Sequence, residues 1–229
     1  MLALQLDVTI PEQIQAAVAR AHEGFGSIDV LFNNAGIGYF AAVEESDEDE
    51  VRTMMEINVF GLAAVTNAVL PEMRARRSGT ILNVSSVGGI RSFPAVSWYN
   101  ASKFAVEGLS EALDLEVAPL GIRVIIVEPS GFATDWAGNS AAQVTPDKEI
   151  ADYASTAGEN LKSFRDNVGK EPGDPALAAK AIVDVAHEQT PPKRLPLGNF
   201  AYDGILEKFE SVRADIAPRE SISRGADRS

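Results

Sequence analysis

Short apolar runs alternate with longer amphipathic segments along most of this 229-residue chain. The apolar runs are followed by Gly, Asn, Ser or Pro, which is typical of buried parallel strands that end in turns. Strands are predicted at residues 2–6, 28–32, 80–84, 123–127 and 193–197. Helices are predicted at residues 11–23, 47–76, 97–119, 175–188 and 200–215, with Thr9 as the N-cap of the first. This alternation predicts a doubly wound α/β domain with a mostly parallel sheet.

A single domain accounts for the length and composition. With 229 residues and 45% hydrophobic content, the chain can bury one sizeable core, which we expect to span residues 1–215. Residues 135–173 are rich in Ala, Asn, Ser, Thr, Asp and Gly and contain few apolar runs. This composition indicates a mobile cover over a substrate site rather than core. Residues 216–229 are expected to form a disordered tail.

Charge and cysteine content exclude several classes of function. A net charge of −13 argues against a nucleic-acid partner, because phosphate binding depends on clustered Lys and Arg. The absence of cysteine excludes disulfides, thiolate catalysis and zinc–thiolate sites. The sequence shows no charged-then-apolar leader and no uninterrupted apolar run of membrane-spanning length. We therefore expect a cytoplasmic protein without a membrane partner.

No metal site is predicted. The acidic run at residues 44–50 fits the start of a helix, with Ser46 as its N-cap and carboxylates beside the positive end of the helix. His22 and His187 are the only histidines, and neither lies at metal-ligand spacing from another ligand type.

Tyr99 and Lys103 carry the clearest chemical signal. They lie four residues apart in a predicted helix and therefore on one face of it. A nearby ammonium favours the phenolate, which lowers the cost of using a phenol of ordinary pKa near ~10 as an acid or base at neutral pH. Ser86 lies thirteen residues upstream of Tyr99, where an apolar run gives way to hydroxyls and glycines. Such a break is typical of a buried strand that ends in a site.

Four marked residues follow predicted strands: Asp7, Asn33, Ser86 and Pro129. Ligands of open parallel sheets bind beyond the carboxyl ends of the strands, so we expect these positions to meet at one edge of the sheet. The segment Asn33-Asn-Ala-Gly36 also supplies small residues, which let the backbone approach a ligand closely.

The segments 33–36 and 58–61, together with Ser86, Tyr99 and Lys103, resemble the motifs of the short-chain dehydrogenase/reductase family in order and spacing. The resemblance runs from residue 2 to at least residue 197. It implies a Rossmann-like fold, NAD or NADP as cofactor, and hydride transfer between an alcohol and a carbonyl. It also implies a homodimer or homotetramer. Residues 1–8 resemble the family's third strand, so we expect a fold truncated at its N-terminus, without the glycine-rich βαβ segment.

The resemblance implies four catalytic residues. Tyr99 is the general acid/base, and Lys103 lowers its pKa and binds the nicotinamide ribose. Ser86 hydrogen-bonds the substrate oxygen, with Ser85 as the alternative hydroxyl. Asn58 holds a water linked to the lysine; alternatively, its amide bonds locally to the helix backbone.

Three segments resemble the family's cofactor contacts. Asp7 and Val8 correspond to an adenine contact, although Asp7 as a simple cap is the competing interpretation. Residues 33–36 correspond to the adenosine ribose contact, and 129–134 to the nicotinamide contact, with Ser130 where the family usually has Gly. The predicted cofactor-binding residues are Asp7, Val8, Asn33, Ala35, Gly36, Tyr99, Lys103, Pro129, Gly131, Phe132 and Thr134.

The substrate is expected to be a small carbonyl compound or alcohol of apolar character. Trp98, Trp136, Phe93 and Phe132 lie near the predicted chemistry and form either an apolar pocket wall or part of the core. The choice between NAD and NADP depends on charges after the family's second strand, which this sequence does not match. The alternative function is a truncated, non-catalytic remnant that cannot hold a dinucleotide. In that case residues 28–32 would present an unpaired edge and the chain would be poorly soluble.

Overall fold

The computed structural model describes residues 1–138, 141–143 and 148–228. Its main sheet is parallel and runs in the order β1 (Val30–Asn33), β3 (Gly79–Val84), β4 (Ile122–Pro129), β6 (Arg194–Leu197). A separate parallel pair joins β2 (Tyr39–Phe40) to β5 (Ala142–Gln143). The helices are α1 (Pro11–Phe25), α2 (Glu48–Met55), α3 (Leu62–Arg76), α4 (Ser97–Val117), α5 (Glu159–Asp166), α6 (Pro175–Ala186), α7 (Asn199–Ile216) and α8 (Glu220–Arg224). The predicted α/β fold is confirmed.

Helices cover both faces of the central strands. On one face, Ile81 of β3 and Val124 of β4 pack with Val69 of α3. On the other face, Leu82 and Ile125 pack with Val185 of α6. Successive strand residues point to opposite faces, which explains why these two strands consist almost entirely of aliphatic residues.

The strand predicted at residues 2–6 does not form. Residues 1–6 have no regular structure and are exposed. A strand needs a neighbouring strand to pair with, and no described strand pairs with these residues, since β1 is the edge strand of the described sheet. Thr9 is also not the N-cap of α1. The cap residue is Ile10, without a side-chain hydrogen bond, while the Thr9 hydroxyl donates to Asp7 Oδ1 at 2.7 Å.

The predicted helix at 47–76 is interrupted by a π-helical turn, Glu56–Gly61, which contains Asn58. By length and composition alone, Glu48–Arg76 is the one helical stretch among the described residues that could cross a membrane. Its uncharged run, residues 57–71, lies between Glu56 and Glu72 and is shorter than an uninterrupted membrane-spanning run. Side chains of this stretch, including Met54 and Met73, lie in the cores of the domain.

The acidic run caps α2, but through Asp47 rather than Ser46. Asp47 Oδ1 accepts hydrogen bonds from the backbone N–H groups of Asp49 and Glu50 at 3.0 and 3.3 Å. A carboxylate has more acceptor capacity than a hydroxyl and interacts better with the positive helix end. The Ser46 hydroxyl instead donates to the Ala42 carbonyl.

Three acids of the run at residues 44–50 bind part of the predicted cover. Lys148 Nζ contacts Asp47 Oδ2 at 2.5 Å, Ile150 N donates to Glu45 Oε1 at 2.7 Å, and the Tyr153 hydroxyl donates to Glu44 Oε2 at 2.7 Å. We call Glu44, Glu45 and Asp47 the acidic clamp. Side chains from two different parts of the chain thereby fix the start of the segment that leads to α5.

The tail and the cover contain more regular structure than the sequence indicates. A 3-10 turn, Ala217–Arg219, and helix α8 follow α7 within the tail expected to be disordered. Within the cover, α5 buries Leu161, and Phe164 packs on Phe40 with ring centroids 5.3 Å apart. Short amphipathic turns of this kind carry little signal in composition alone.

Gly121→Ala should destabilise the domain. Gly121 has φ +75°, and an added Cβ would lie 2.4 Å from the Arg77 carbonyl oxygen. The left-handed conformation alone costs an L-residue about 1–2 kcal/mol. Gly108→Ala on α4 is the control, because no atom lies within 4 Å of its added Cβ and alanine in a helix is favoured by roughly 0.5–1 kcal/mol. Thermal unfolding followed by circular dichroism tests both; a melting temperature for Gly121→Ala at or above wild type contradicts the prediction.

Candidate active site

The carboxyl ends of β1, β3 and β4 open onto one cleft of about 1000 Å³. Parallel strands place their carboxyl ends at the same edge of the sheet, so residues distant in sequence meet there. Eight of the predicted site residues line this cleft: Gly36, Ser86, Tyr99, Lys103, Pro129, Gly131, Phe132 and Thr134.

Tyr99 and Lys103 lie on the first turns of α4 and are both buried, at 8% and 5% exposure. Lys103 Nζ lies 5.7 Å from the centre of the Tyr99 ring and donates a hydrogen bond to the Val84 carbonyl at 2.9 Å. The end of β3 therefore fixes the ammonium beside the phenol. This is the neighbourhood that their four-residue spacing predicts.

The protonation of this pair differs from the expectation. Burial raises the pKa of Tyr99 to about 12, and the nearby Ser86 hydroxyl opposes this rise. Burial lowers the pKa of Lys103 to about 8, and the Glu107 carboxylate opposes this fall. The lowering of the phenol's pKa by Lys103 that the resemblance implies is not seen in this structure and stays a prediction. The largest cause of the raised pKa of Tyr99 is the loss of water around the phenolate.

The two serines after β3 face different groups. Ser86 caps the 3-10 turn Val87–Gly89, where its hydroxyl accepts from Gly88 N at 3.0 Å, and it interacts with the Tyr99 phenol. The Ser85 hydroxyl lies close enough to Glu107 to lower the pKa of that carboxyl, without hydrogen-bond geometry. Of the two alternatives, Ser86 is the hydroxyl beside the phenol.

Asn58 connects three segments. Its Oδ1 accepts from Ile37 N at 2.8 Å, and its Nδ2 donates to Ile37 O at 2.9 Å and to Ser102 Oγ at 3.1 Å. The alternative of bonding within its own helix is therefore not what the structure shows. A Cβ added to Gly36 would lie 3.2 Å from Asn58 Oδ1 and 3.6 Å from Lys103 Nζ, so the glycine leaves space beside both groups.

Four predicted cofactor residues do not line the cleft: Asp7, Val8, Asn33 and Ala35. Asp7 accepts from the hydroxyl and the backbone N–H of Thr9, which lowers its pKa, but it does not cap α1, whose N-cap is Ile10. Val8 packs against the π-helical turn, where an added Cβ on Gly61 would lie 2.6 Å from Val8 Cγ2.

Asn33 serves the core instead of the cleft. Its Nδ2 donates to Thr66 Oγ1 at 3.0 Å and to Asn83 Oδ1 at 2.9 Å, and Asn83 Nδ2 donates to Ser110 Oγ at 2.9 Å. This buried network links β1 and β3 with α3 and α4. Buried amides need such partners, so the side chain is fixed inward.

Sequence reasoning missed the neighbour of Asn33. Asn34 lines the cleft, because successive residues of an extended segment point to opposite sides. Asn100 also lines it; its Nδ2 donates to Phe93 O at 3.1 Å, while its buried Oδ1 has no hydrogen-bond partner among the described residues. The alternation of side-chain direction at the end of β1 is the signal that would have identified Asn34.

Aromatic side chains form one wall of the cleft. The Trp136 ring centroid lies 4.8 Å from that of Tyr99 and 6.5 Å from that of Phe164. Phe93 and Phe132 also line the cleft. Trp98 does not line the cleft and is partly exposed, since its position on α4 is one residue before Tyr99 and points elsewhere. The apolar wall therefore has Trp136 at its centre.

Comparison with known sequences gives the family. A model of the short chain dehydrogenase family matches residues 1–145. Oxidoreductase BOA17 of Botryotinia fuckeliana is 42% identical over 209 residues, which cover 91% of this chain and 75% of that protein. A 3-ketodihydrosphingosine reductase of Bacteroides thetaiotaomicron is 39% identical over 196 residues, which cover 85% of this chain and 72% of that protein.

Solved structures agree with this assignment. A short-chain dehydrogenase from Streptomyces avermitilis superimposes with a TM-score of 0.88 at 43% identity, covering 98% of this chain and 80% of that one. ElxO with NADP bound superimposes with a TM-score of 0.68 at 28% identity, covering 87% of this chain and 77% of that one. With the family match, the fold and the Tyr99–Lys103 pair in agreement, this chain belongs to the short-chain dehydrogenase family.

Proposed function

We propose that this protein is an NAD(P)-dependent oxidoreductase that interconverts an alcohol and a carbonyl. The observation that carries the proposal is the buried Tyr99–Lys103 pair, with the Ser86 hydroxyl next to the phenol, at the base of a large cleft. General acid/base chemistry requires a proton donor within reach of the substrate oxygen, and this arrangement supplies one.

The chain's residues handle the proton. A bound nicotinamide would supply or accept the hydride. Tyr99, with a pKa raised to about 12 by burial, is protonated at neutral pH and can donate to a carbonyl oxygen during reduction. Lys103 would stabilise the phenolate that this donation leaves behind, and the Ser86 hydroxyl would orient the substrate oxygen.

The cleft fits a nicotinamide dinucleotide. Gly36 keeps space open beside Lys103 Nζ, which supports the approach of a ribose to the ammonium. The segment Pro129–Thr134 lines the adjacent wall, and its Thr134 hydroxyl is a polar group able to meet a carboxamide. The binding of NADP by the related ElxO supports NAD or NADP as cofactor.

The substrate is an apolar, medium-sized ketone or secondary alcohol. The wall of Trp136, Phe93 and Phe132 supports this choice, because such a surface favours apolar groups and offers polyols few hydrogen bonds. The likeness to a 3-ketodihydrosphingosine reductase, whose name indicates reduction of a ketone, points the same way.

The protein acts in the cytoplasm as a homodimer or homotetramer. Phe104, Leu109 and Leu115 of α4 are exposed although they are large and apolar, which supports self-association through this helix. The net charge of −13 and the absence of cysteine support a cytoplasmic location without a nucleic-acid or membrane partner.

Tyr99→Phe should reduce turnover by at least ~10²-fold, because it removes the transferable proton. Affinity for NADH or NADPH, measured by fluorescence titration, should stay within a few-fold of wild type. Tyr202→Phe is the control, because Tyr202 is exposed on α7 and lies outside the cleft. Turnover of Tyr99→Phe near the wild-type rate would remove Tyr99 from the mechanism. If the wild-type protein binds neither dinucleotide, the alternative of a non-catalytic remnant is supported instead.

Trp136→Ala should lower kcat/KM for apolar ketones by at least ~10-fold, because the pocket loses its central aromatic surface. Trp98→Ala is the matched control, since this second tryptophan does not line the cleft. Steady-state kinetics on a panel of apolar, polyhydroxylated and carboxylated carbonyl compounds provides the measurement. A wild-type preference for polyhydroxylated or carboxylated compounds contradicts the assigned substrate class.

A further inference from the structure

Arg194, the first residue of β6, contacts three carboxylates inside the domain. Its Nη1 contacts Glu107 Oε2 of α4 at 2.6 Å and also Glu128 Oε1 of β4, and its Nη2 contacts Glu111 Oε1 of α4. Glu107 and Glu128 are buried at 5% and 0% exposure, whereas Glu111 is largely exposed. We call these four residues the Arg194 cluster. One guanidinium thereby links β6 to α4 and to β4 through charge-assisted contacts.

The Arg194 cluster contains more acid than base. Burial, reinforced by the neighbouring Glu107, raises the pKa of Glu128 to about 7. Glu128 therefore carries a proton for part of the time near neutrality, which reduces the repulsion between the two buried acids. Burial also raises the pKa of Glu107, but Ser85 and Arg194 oppose this rise. Arg194 opposes the rise at both buried acids, and Glu107 has the Ser85 hydroxyl beside it in addition.

Glu107 lies one helical turn after Lys103, as Lys103 lies one turn after Tyr99. All three side chains are buried on α4, so one face of this helix carries phenol, ammonium and carboxylate in sequence. Glu107 is the charged group that opposes the effect of burial on Lys103. Lys103 itself contacts the Val84 carbonyl and the Tyr99 ring, and Glu107 acts on its charge without a direct ion pair among the described residues.

We propose that Glu107 is a positioning residue for Lys103: its carboxylate, fixed by Arg194, keeps the ammonium charged within the catalytic cleft. The inference rests on the proposed role of Lys103 in cofactor binding and proton transfer. Glu107 acts through Lys103, since it does not itself line the cleft. Removing the carboxylate lowers the pKa of Lys103, because a nearby negative charge favours the ammonium.

The protonation of Lys103 can be measured directly by NMR on protein labelled with ¹³C at the lysine ε carbon. Lys103→Arg identifies the signal by its loss. In wild type the signal should titrate with a pKa about 8. In Glu107→Gln the pKa should fall by roughly one unit, so that the ammonium fraction at pH 8 drops from about half to about a tenth. The alkaline limb of kcat/KM should move down by the same amount.

Glu111→Gln is the control, because Glu111 shares Arg194 with Glu107 but lies two turns from Lys103 and is mostly exposed. In Glu111→Gln the pKa of Lys103 should match the wild-type value. Glu107→Asp retains the charge, so its Lys103 pKa should lie closer to the wild-type value than the Lys103 pKa of Glu107→Gln does. If Glu107→Gln does not fold, Glu107→Met removes the same charge without adding an amide to satisfy.

An unchanged Lys103 pKa in the folded, charge-free variants overturns the proposal. Because this titration needs no turnover, it separates the inference from the proposed function. A lowered Lys103 pKa in a protein without dehydrogenase activity would leave the Glu107–Lys103 coupling standing and reject the enzyme function. An active protein whose Lys103 pKa does not change when Glu107 is replaced would support the enzyme function and reject the Glu107–Lys103 coupling.

Discussion

The burial of the Lys103 ammonium at the carboxyl edge of the sheet is the constraint on which the site depends. Removing an ammonium from water costs several kcal/mol, so the surroundings must compensate. The compensation comes from the Val84 carbonyl at 2.9 Å, the Tyr99 ring and the charge of Glu107. These groups belong to β3 and to the turns of α4 immediately before and after Lys103. They act together only if α4 keeps its position against the sheet, and the hydrogen bond from Asn83 of β3 to Ser110 of α4 ties the two elements together.

The order of strands and helices could be predicted from the sequence because side-chain periodicity is a local property. The catalytic face of α4 was predictable for the same reason, since four-residue spacing fixes which side chains are neighbours. The strand expected at 2–6 fails because pairing depends on a neighbouring strand, which a local pattern does not reveal. The adenine contact of Asp7 stays a prediction; its carboxylate accepts from Thr9, two residues away.

Other parts of the site depend on contacts between residues far apart in sequence. Glu107 and Arg194 are 87 residues apart, and Glu128 and Arg194 are 66 residues apart. Read along the sequence, each is an ordinary charged residue that would be placed on the surface. Asn58 illustrates the intermediate case. An amide in an apolar helix indicates an important partner, but the identity of that partner, the backbone of Ile37, follows only from the fold.

The acidic clamp has a consequence for solution conditions. Its Lys148–Asp47 pair is partly exposed, with side-chain exposures of 43% and 39%, and ties the segment that leads to α5 to the N-cap of α2. Mobile ions screen charges at such a surface over about 8 Å at physiological ionic strength, and over shorter distances as salt is added. Glu44 and Glu45 accept hydrogen bonds from the Tyr153 hydroxyl and from Ile150 N of the same segment. Added salt should therefore loosen the attachment of this segment to α2, through residues that do not line the cleft.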